Sequence, residues 1–311
     1  MIKYGGLFKQ VAHACSPHFR CLSLQTSIKL DKIHYTTNFQ SQSITSSSST
    51  IMAKFCANLS FIFTDVPFVE RYAAASRAGF KAVESGFPYQ VPIEEVTAAK
   101  KAAGIQQVLI NVYTGDVTKG ELGFAAVPGE EENFKNSVHT TIEYAKALGA
   151  SKIHVMSGRV TFPTAQNDTL YESNLRYAAK IFEKENILGL IEPINKYSVP
   201  GYYLNSYDKA LKVLKNINSP NLRLMLDVFH LQHIQGNITN TMQELKDWIG
   251  HVQIAQVPNR NEPDTLGEIN YAHVLTALRT VGYQDWIGLE YKPQGDPVAG
   301  LKWITSLGYS L

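Results

Sequence analysis

Cysteine is scarce in this sequence, and its few residues form no pattern that binds zinc or builds a disulfide framework. The 311-residue chain has three cysteines, Cys15, Cys21 and Cys56, without a CxxC pair. We therefore expect no structural zinc site, and we interpret Cys56 as a small buried residue of a strand. Apolar runs long enough to cross a bilayer are also missing, so we expect no membrane partner.

Two further classes of protein lack their sequence signatures here. No glycine-rich turn of the GxGxxG or GxxxxGK kind follows a predicted strand, and we therefore expect no nucleotide cofactor. Residues 52–311 hold 24 basic and 26 acidic residues, which leaves this part of the chain close to neutral. Because nucleic-acid binding requires a basic face, we expect no nucleic-acid partner.

Residues 1–51 differ in composition from the rest. They hold five basic residues and one acidic residue, and they end in the serine-rich tract Ser46–Thr50 before Met52. Such a tract buries too little surface to offset its chain entropy, so we predict a disordered leader. A mitochondrial transit peptide has similar composition, and a true start at Met52 is another alternative. We expect a cytoplasmic protein, or a mitochondrial one if the leader is a transit peptide.

From Met52 onward the chain repeats one unit, an apolar run followed by a helical pattern. The eight runs are Phe55–Phe63, Ala82–Gly86, Val108–Tyr113, Lys152–Ser157, Leu188–Ile194, Leu222–Val228, His251–Val257 and Trp286–Tyr291. The helical patterns are Val66–Arg77, Ile93–Ala103, Glu131–Leu148, Asn174–Glu185, Ser206–Lys215, Asn240–Trp248, Ile269–Thr280 and Val298–Ser306. Glycine is expected to end the helix before five of these strands, at Gly79, Gly104, Gly149, Gly250 and Gly282. This alternation predicts a parallel sheet, and eight units predict an α/β protein with a single-domain (β/α)8 TIM barrel over 52–311.

Side-chain alternation in the last four strands predicts a polar ring inside the barrel. In Leu224–Asp227, the two leucines suit the helix-facing side, which turns Asp227 into the lumen. The same reasoning places Glu192, Gln253 and Glu290 inside, near the carboxyl ends of their strands, where TIM-barrel active sites are built. Three crowded carboxylates must take up protons or hold a cation, and this oxygen-rich set suits Mg²⁺ or Mn²⁺. Whether the metal is required stays open.

Four sequence segments resemble the hydroxypyruvate isomerase family, one of the xylose-isomerase-like barrels together with sugar epimerases and endonuclease IV. They are LIEPIN at 190–195, DVFH at 227–230, HVQIAQVP at 251–258 and GLEY at 288–291. The segments ANLS at 57–60 and PGYYL at 200–204 are also similar. The resemblance covers 52–311 and implies conversion of hydroxypyruvate to 2-hydroxy-3-oxopropanoate by proton transfer through an enediolate.

The resemblance implies a role for each matching position. Glu192 and Glu290 would be the catalytic proton donor and acceptor. His230 would contact a substrate oxygen, and Arg260, with Lys196 or Lys292 next, would bind the substrate carboxylate. The metal ligands, in members that hold a metal, correspond to the four residues of the ring: Glu192, Asp227, Gln253 and Glu290. The sequence departs from the family pattern at Lys196 and Ser198, where an arginine is expected nearby, and at Asn259, where glycine is expected.

Several interpretations stay open beside this one. An isomerase or epimerase of a four-carbon 2-oxo acid or a free sugar has the same requirements, because the fold does not determine the substrate. A non-catalytic ligand-binding barrel would be expected to lack one of the two glutamates. A phosphodiester-cleaving enzyme would need several metals, many histidines and a basic face. His154 faces inward and suits either a substrate contact or a buried core histidine, while Glu84 suits support of a neighbouring side chain. A homodimer through the outer helices is possible.

Overall fold

Eight parallel strands close into a barrel in the computed structural model of the chain, which describes residues 53–311. They are β1 Lys54–Asn58, β2 Ala82–Ser85, β3 Gln106–Asn111, β4 Lys152–His154, β5 Leu188–Ile191, β6 Leu222–Asp227, β7 Ile249–Ile254 and β8 Trp286–Leu289. Each strand pairs with the next in chain order, and β8 pairs with β1, which closes the sheet. The predicted (β/α)8 barrel is confirmed. The predictions for residues 1–51 lie outside the described residues.

Helices connect the strands on the outside of the barrel. They are α1 Phe68–Arg77, α2 Ile93–Ala103, α3 Glu131–Leu148, α4 Ala165–Lys184, α5 Tyr207–Ile217, α6 Val228–Ile234, α7 Ile238–Leu245, α8 Tyr271–Thr280 and α9 Lys302–Ser306. Short 3-10 turns occupy Pro88–Gln90, Val117–Lys119 and Ala299–Leu301. Within residues 53–311, none of these helices combines the length and the apolar composition that a bilayer crossing demands.

The core has two layers, as strand alternation requires. One faces the helices and includes Ile191, Leu224 and Leu226, which pack in a large cluster with helix residues. The other is a small cluster of strand residues inside the barrel. Its buried members are Cys56, Ala82, Val108, Leu109, Leu190 and Met225. The outward assignment of Leu224, Leu226 and Ile191 is therefore confirmed, and the same alternation turns the polar residues of these strands inward.

Glycine plays two different parts in this barrel. Gly104 and Gly149 end α2 and α3 in the left-handed conformation, with φ of 63° and 65°, as predicted for helix ends. The prediction for Gly250 is wrong, because this residue lies within β7. A Cβ at Gly250 would lie 2.6 Å from the Arg223 Cβ and 2.8 Å from Leu190 Cδ2, so close packing inside the barrel excludes a side chain there.

The largest departures from the predicted helical pattern are at α4 and α6. Helix α4 begins at Ala165 rather than Asn174, because its polar first turns follow Thr164, whose non-helical backbone marks the true N-terminus. Helix α6 was not predicted, since its sequence VFHLQHI continues the apolar run of β6. The Asp227 side chain accepts a hydrogen bond from the Phe229 N–H at 2.8 Å and so caps α6 directly at the strand end.

Candidate active site

The four polar residues predicted to face the lumen all lie toward the carboxyl end of the barrel. Asp227 is the last residue of β6, Gln253 lies in β7, and Glu192 and Glu290 directly follow β5 and β8. Asp227, Gln253 and Glu192 are buried, whereas the Glu290 side chain keeps 16% of its exposure. We call these four residues the carboxylate ring. Glu290 is therefore the most exposed of the four.

Arg260, from the loop after β7, lies among the carboxylates. Its Nη2 donates to Asp227 Oδ2 at 2.9 Å and to Glu290 Oε2 at 2.6 Å. Its Nε donates to the backbone oxygen of Glu290 at 3.1 Å. One guanidinium therefore bridges the ends of β6 and β8, and it supplies the cation that this crowded group requires.

Two aromatic rings hold the Arg260 guanidinium in place. Its central carbon lies 4.9 Å from the Phe61 ring centre and 4.7 Å from that of Phe229. Arg260 also has a left-handed backbone with φ of 58°, which is costly for a residue with a Cβ. Such strain persists only where surrounding contacts determine the conformation, and here these contacts are the stacked rings and the two carboxylates.

Burial, together with the remaining negative charge, raises the pKa of the two glutamates. Burial, followed by repulsion from Glu290 and Asp227, raises the pKa of Glu192 well above its ordinary value. Burial also raises the pKa of Glu290, against the attraction of Arg260, to about 8. Burial raises the pKa of Asp227 as well, against the opposing effect of Arg260. The ring therefore holds at least one proton at neutral pH, as a pair of groups for proton donation and acceptance requires.

His230 presents an N–H to the ring. The Asn195 Oδ1 accepts from the backbone N–H groups of Tyr197 and Ser198, so its Nδ2 must donate to His230 Nδ1, at 2.6 Å. Burial and the nearby Arg260 lower the pKa of His230 well below its ordinary value, so its imidazole is neutral. Its single proton is therefore on Nε2, which lies 3.5 Å from Asp227 Oδ2 and 3.8 Å from Glu192 Oε1.

The Nε2–H of His230 stands beside a second donor. Arg260 Nη1 lies 3.2 Å from this nitrogen, and because both atoms carry hydrogens, the contact is not a hydrogen bond. Among residues 53–311, Arg260 Nη1 has no acceptor. Two unshared donors at this spacing suit an anionic oxygen placed between them. The structure thus brings together His230 and Arg260, the two residues to which the resemblance assigns substrate contacts.

The other residues predicted to contact substrate lie in different surroundings. His154 lies with its Nε2 at 3.6 Å from Glu192 Oε2, and burial lowers its pKa to about 3, so it is neutral. Its Nε2 is buried and has no hydrogen-bond partner within the described chain, so both interpretations of His154 stay open. Lys196 is exposed, and its Nζ lies 5.3 Å from the centre of the Tyr197 aromatic ring. The structure therefore does not bring Lys196 to the carboxylate ring. Lys292 is also exposed.

The donor atoms of the ring fit a divalent cation. Glu192 Oε1 and Gln253 Oε1 are buried oxygens without a hydrogen-bond partner in the described part of the chain. Glu192, Asp227 and His230 also place one potential ligand atom each within 4.8 Å of one another. Carboxylate and amide oxygens suit Mg²⁺ or Mn²⁺. Glu290 Oε2 and Asp227 Oδ2 are held by Arg260, so a metal bound by the predicted four ligands would compete with this guanidinium.

Some residues of the site were missed by the sequence interpretation. Asn195 orients His230, while Phe61 and Phe229 stack on Arg260. Asn195 and Phe229 lie inside segments already singled out, three residues after Glu192 and two after Asp227. Their position in the sequence could therefore have pointed to them. Phe61 follows β1 and offers no comparable signal, because an aromatic residue after a strand is common in any fold.

Comparison with known proteins identifies the family of the chain. Residues 72–307 match the family described as xylose isomerase-like TIM barrel. The chain is 42% identical over 255 residues to the hydroxypyruvate isomerase of Escherichia coli strain K12, with 81% of this chain and 98% of that protein covered. The chain belongs to the hydroxypyruvate isomerase family. It is therefore an isomerase built on a xylose isomerase-like barrel.

Three further proteins are similar to the chain. The chain is 39% identical over 255 residues to the 2-oxo-tetronate isomerase of Cupriavidus necator, with 81% and 98% of the two proteins covered. A crystal structure of an AP endonuclease of family 2 from Brucella melitensis superposes with a TM-score of 0.80 at 38% identity, covering 82% of this chain and 99% of that one. A D-psicose 3-epimerase from Clostridium cellulolyticum, at 16% identity and a TM-score of 0.67, shares the fold.

Proposed function

We propose that this isomerase acts on a small 2-oxo acid and converts hydroxypyruvate to 2-hydroxy-3-oxopropanoate, with Glu192 and Glu290 as the proton-transfer pair. The observation that carries the proposal is the joint presence of two glutamates with raised pKa and two unshared donors, Arg260 Nη1 and His230 Nε2. Proton transfer next to a ketone needs a base, an acid and donors for a negative oxygen, and these groups supply all three.

The reaction moves one hydrogen between neighbouring carbons. Hydroxypyruvate has a ketone at C2 between a carboxylate and a CH₂OH group. An ionised glutamate removes a C3 proton, the electrons form a C2–C3 double bond, and the C2 oxygen becomes negative. The protonated glutamate then delivers a proton to C2. The C3 hydroxyl loses its proton as the C3 carbonyl forms, and the C2 oxygen gains one, so that atoms and charge balance.

The chain's own residues stabilise the enediolate in this scheme. The negative C2 oxygen or the substrate carboxylate would accept from Arg260 Nη1 and His230 Nε2, which stand 3.2 Å apart. Preorganised donors of this kind cost no reorganisation at the moment of reaction. Glu192, Asp227, Gln253 and Glu290 would hold Mg²⁺ or Mn²⁺, and a bound ion would polarise the substrate oxygens.

Two other functions are less well supported. A four-carbon 2-oxo acid is favoured by the similar identity to the 2-oxo-tetronate isomerase of Cupriavidus necator. A phosphodiesterase is disfavoured, because the ring brings a single histidine, His230, into a ligand group with Glu192 and Asp227 within the described chain. Hydrolysis of this kind relies on two or more metals held close together.

Steady-state kinetics of the full chain test the proposal. Hydroxypyruvate and 2-oxo-tetronate are supplied separately, after chelation and then with Mg²⁺ or Mn²⁺, and the product is identified by NMR. Glu192→Gln and Glu290→Gln are each expected to lower kcat by about 10²–10⁴-fold, the usual loss for a general acid or base. Glu95→Gln, on the exposed surface of α2, is the matched control and should keep wild-type rates. A well-folded wild-type protein that converts neither acid under any metal would refute the proposal.

A further inference from the structure

A second buried polar group lies deeper in the barrel than the carboxylate ring. Its centre is Glu84 of β2, whose side chain has no exposure. The carboxylate accepts from Asn58 Nδ2 at 2.9 Å and from Gln253 Nε2 at 2.7 Å on Oε1. On Oε2 it accepts from His251 Nε2 at 2.7 Å and from the Cys56 thiol at 3.5 Å. A carboxylate has about four acceptor sites, so these four donors use its whole capacity.

The direction of each hydrogen bond is determined by groups that can only donate. Lys152 Nζ, which has no acceptor capacity, contacts His251 Nδ1 at 3.2 Å. The His251 proton is therefore on Nε2 and points to Glu84. Lys152 is itself held by Asp285 Oδ2 at 2.8 Å and by the backbone oxygen of Gly250 at 2.9 Å.

Asn58 is oriented in the same way. Its Oδ1 accepts from the backbone N–H of Ser60 at 2.9 Å, so its amide nitrogen must face Glu84. With Asn58 and His251 both donating, Glu84 can only accept from its remaining neighbours. Gln253 must therefore turn its NH₂ group to Glu84, and a flipped amide would place two acceptor oxygens against each other at 2.7 Å.

This orientation has a consequence for the carboxylate ring. With the nitrogen turned to Glu84, the Gln253 Oε1 is turned away from it, and this oxygen is buried without a hydrogen-bond partner among residues 53–311. An unmatched buried acceptor is costly. Binding of a cation or a substrate hydroxyl to this oxygen would offset the cost. Gln253 lies between Asp227 and Glu290 in the order of strands.

We propose that Glu84 is a positioning residue, which fixes the Gln253 carbonyl oxygen toward the reacting groups by accepting the Gln253 N–H. The effect on catalysis rests on the proposed function, whereas the orientation itself does not. Close packing supports the arrangement, since a Cβ on Gly288 would lie 2.4 Å from Glu84 Oε1. The strand next to Gln253 therefore leaves room for Glu84 by carrying no side chain at this position.

The orientation is measured first, on the wild-type full chain with ¹⁵N-labelled glutamine and asparagine side chains. The Gln253 amide signal is assigned by its loss in Gln253→Ala. Its protons are expected to show NOEs to the Asn58 amide, because both nitrogens contact the same Glu84 oxygen. NOEs to His230 or Arg260 in their place would overturn the proposal. Gln107, a buried amide with hydrogen bonds at 2.8 and 3.1 Å, is the positive control for a fixed side chain.

The catalytic consequence is measured by a double-mutant cycle with Glu84→Gln and Gln253→Ala. Glu84→Gln is expected to lower kcat/KM by about 10–100-fold, the usual effect of a residue that orients a ligand group. In the Gln253→Ala background the same change should cost no more than about threefold, since the two residues act as one unit. An equal loss in both backgrounds would mean that Glu84 acts through the fold alone, and would refute its positioning role.

Two controls separate the possible failures. Tyr72→Phe removes another buried hydrogen bond of the barrel wall, from Tyr72 to Gln107 at 2.9 Å, and should lower stability without lowering kcat/KM. If Glu84→Gln does not fold, the wild-type NOEs still decide the orientation of Gln253. A wild-type protein inert toward both 2-oxo acids would refute the proposed function and the catalytic consequence, while the NOEs would still confirm or overturn the orientation.

Discussion

Replacing Glu290 by glutamine is expected to remove a large part of the pH dependence of stability. In the folded protein, burial raises the pKa of Glu290 from 4.5 to about 8, even though Arg260 opposes the shift. The unfolded chain loses this proton near pH 4.5, whereas the folded chain keeps it until about pH 8. The folded state therefore binds more protons in this window, and its stability falls as the pH rises.

The magnitude follows from the shift. Each unit of pKa difference corresponds to about 1.4 kcal/mol, so Glu290 alone removes about 3 kcal/mol between pH 5 and pH 8. Glu290→Gln does not ionise and avoids this loss. The variant also weakens the 2.6 Å contact with Arg260. That cost is about 1.5–3 kcal/mol and is present at both pH values. The difference between the two pH values therefore isolates the ionisation.

Thermal and urea unfolding of the chelated proteins provide the measurement. From pH 5 to pH 8, the stability of Glu290→Gln relative to wild type should improve by about 3 kcal/mol, a relative gain of about 6–12 °C in Tm for a domain of 150–250 residues. Glu95→Gln, exposed on α2, should follow the wild type. Parallel curves for wild type and Glu290→Gln would refute the reasoning, because Glu290 would then be ionised over the whole range.

Three further predictions concern the site and its packing. Arg260→Lys should raise KM for hydroxypyruvate at least about tenfold, since an ammonium cannot form bidentate hydrogen bonds or stack on aromatic rings as a guanidinium does. An unchanged KM in steady-state kinetics would contradict this. Gly288→Ala should lower the free energy of unfolding in urea by about 1–3 kcal/mol through overlap with Glu84, whereas Gly295→Ala, where a Cβ meets nothing within 4 Å, should not. Mn²⁺ at 100 times its Kd should stabilise the protein, previously freed of metal with a chelator, by about 2.7 kcal/mol. In calorimetry at the same Mn²⁺ concentration, Glu192→Gln should abolish most of this gain.

Much of the fold was predictable because its signals are local. Alternating apolar runs and helical patterns depend on neighbours along the chain, and all eight strands were found from them. The helices α2 and α3 match their predicted bounds. The errors are also local. Helix α6 was hidden because VFHLQHI extends the apolar run of β6, and Gly250 was taken for a helix end although it lies inside β7.

The ring of Glu192, Asp227, Gln253 and Glu290 was predictable for the same reason. The two-residue period of a strand decides which side chains face inward, and the parallel order brings the strand ends to one face. The Lys196 contact had no such basis. It lies in a loop, where no period determines the direction of a side chain, and the structure leaves it exposed beside Tyr197.

By itself, the sequence determined the barrel, the inward direction of its polar side chains and the family of the chain. Only the tertiary structure decided which partners those side chains have. Arg260 bridges Asp227 and Glu290, and Glu84 turns the amide of Gln253, across residues far apart in the chain. The physical reason is that ion pairing, burial and hydrogen-bond direction depend on all the groups that meet in one place, and closure of the barrel is what brings them together.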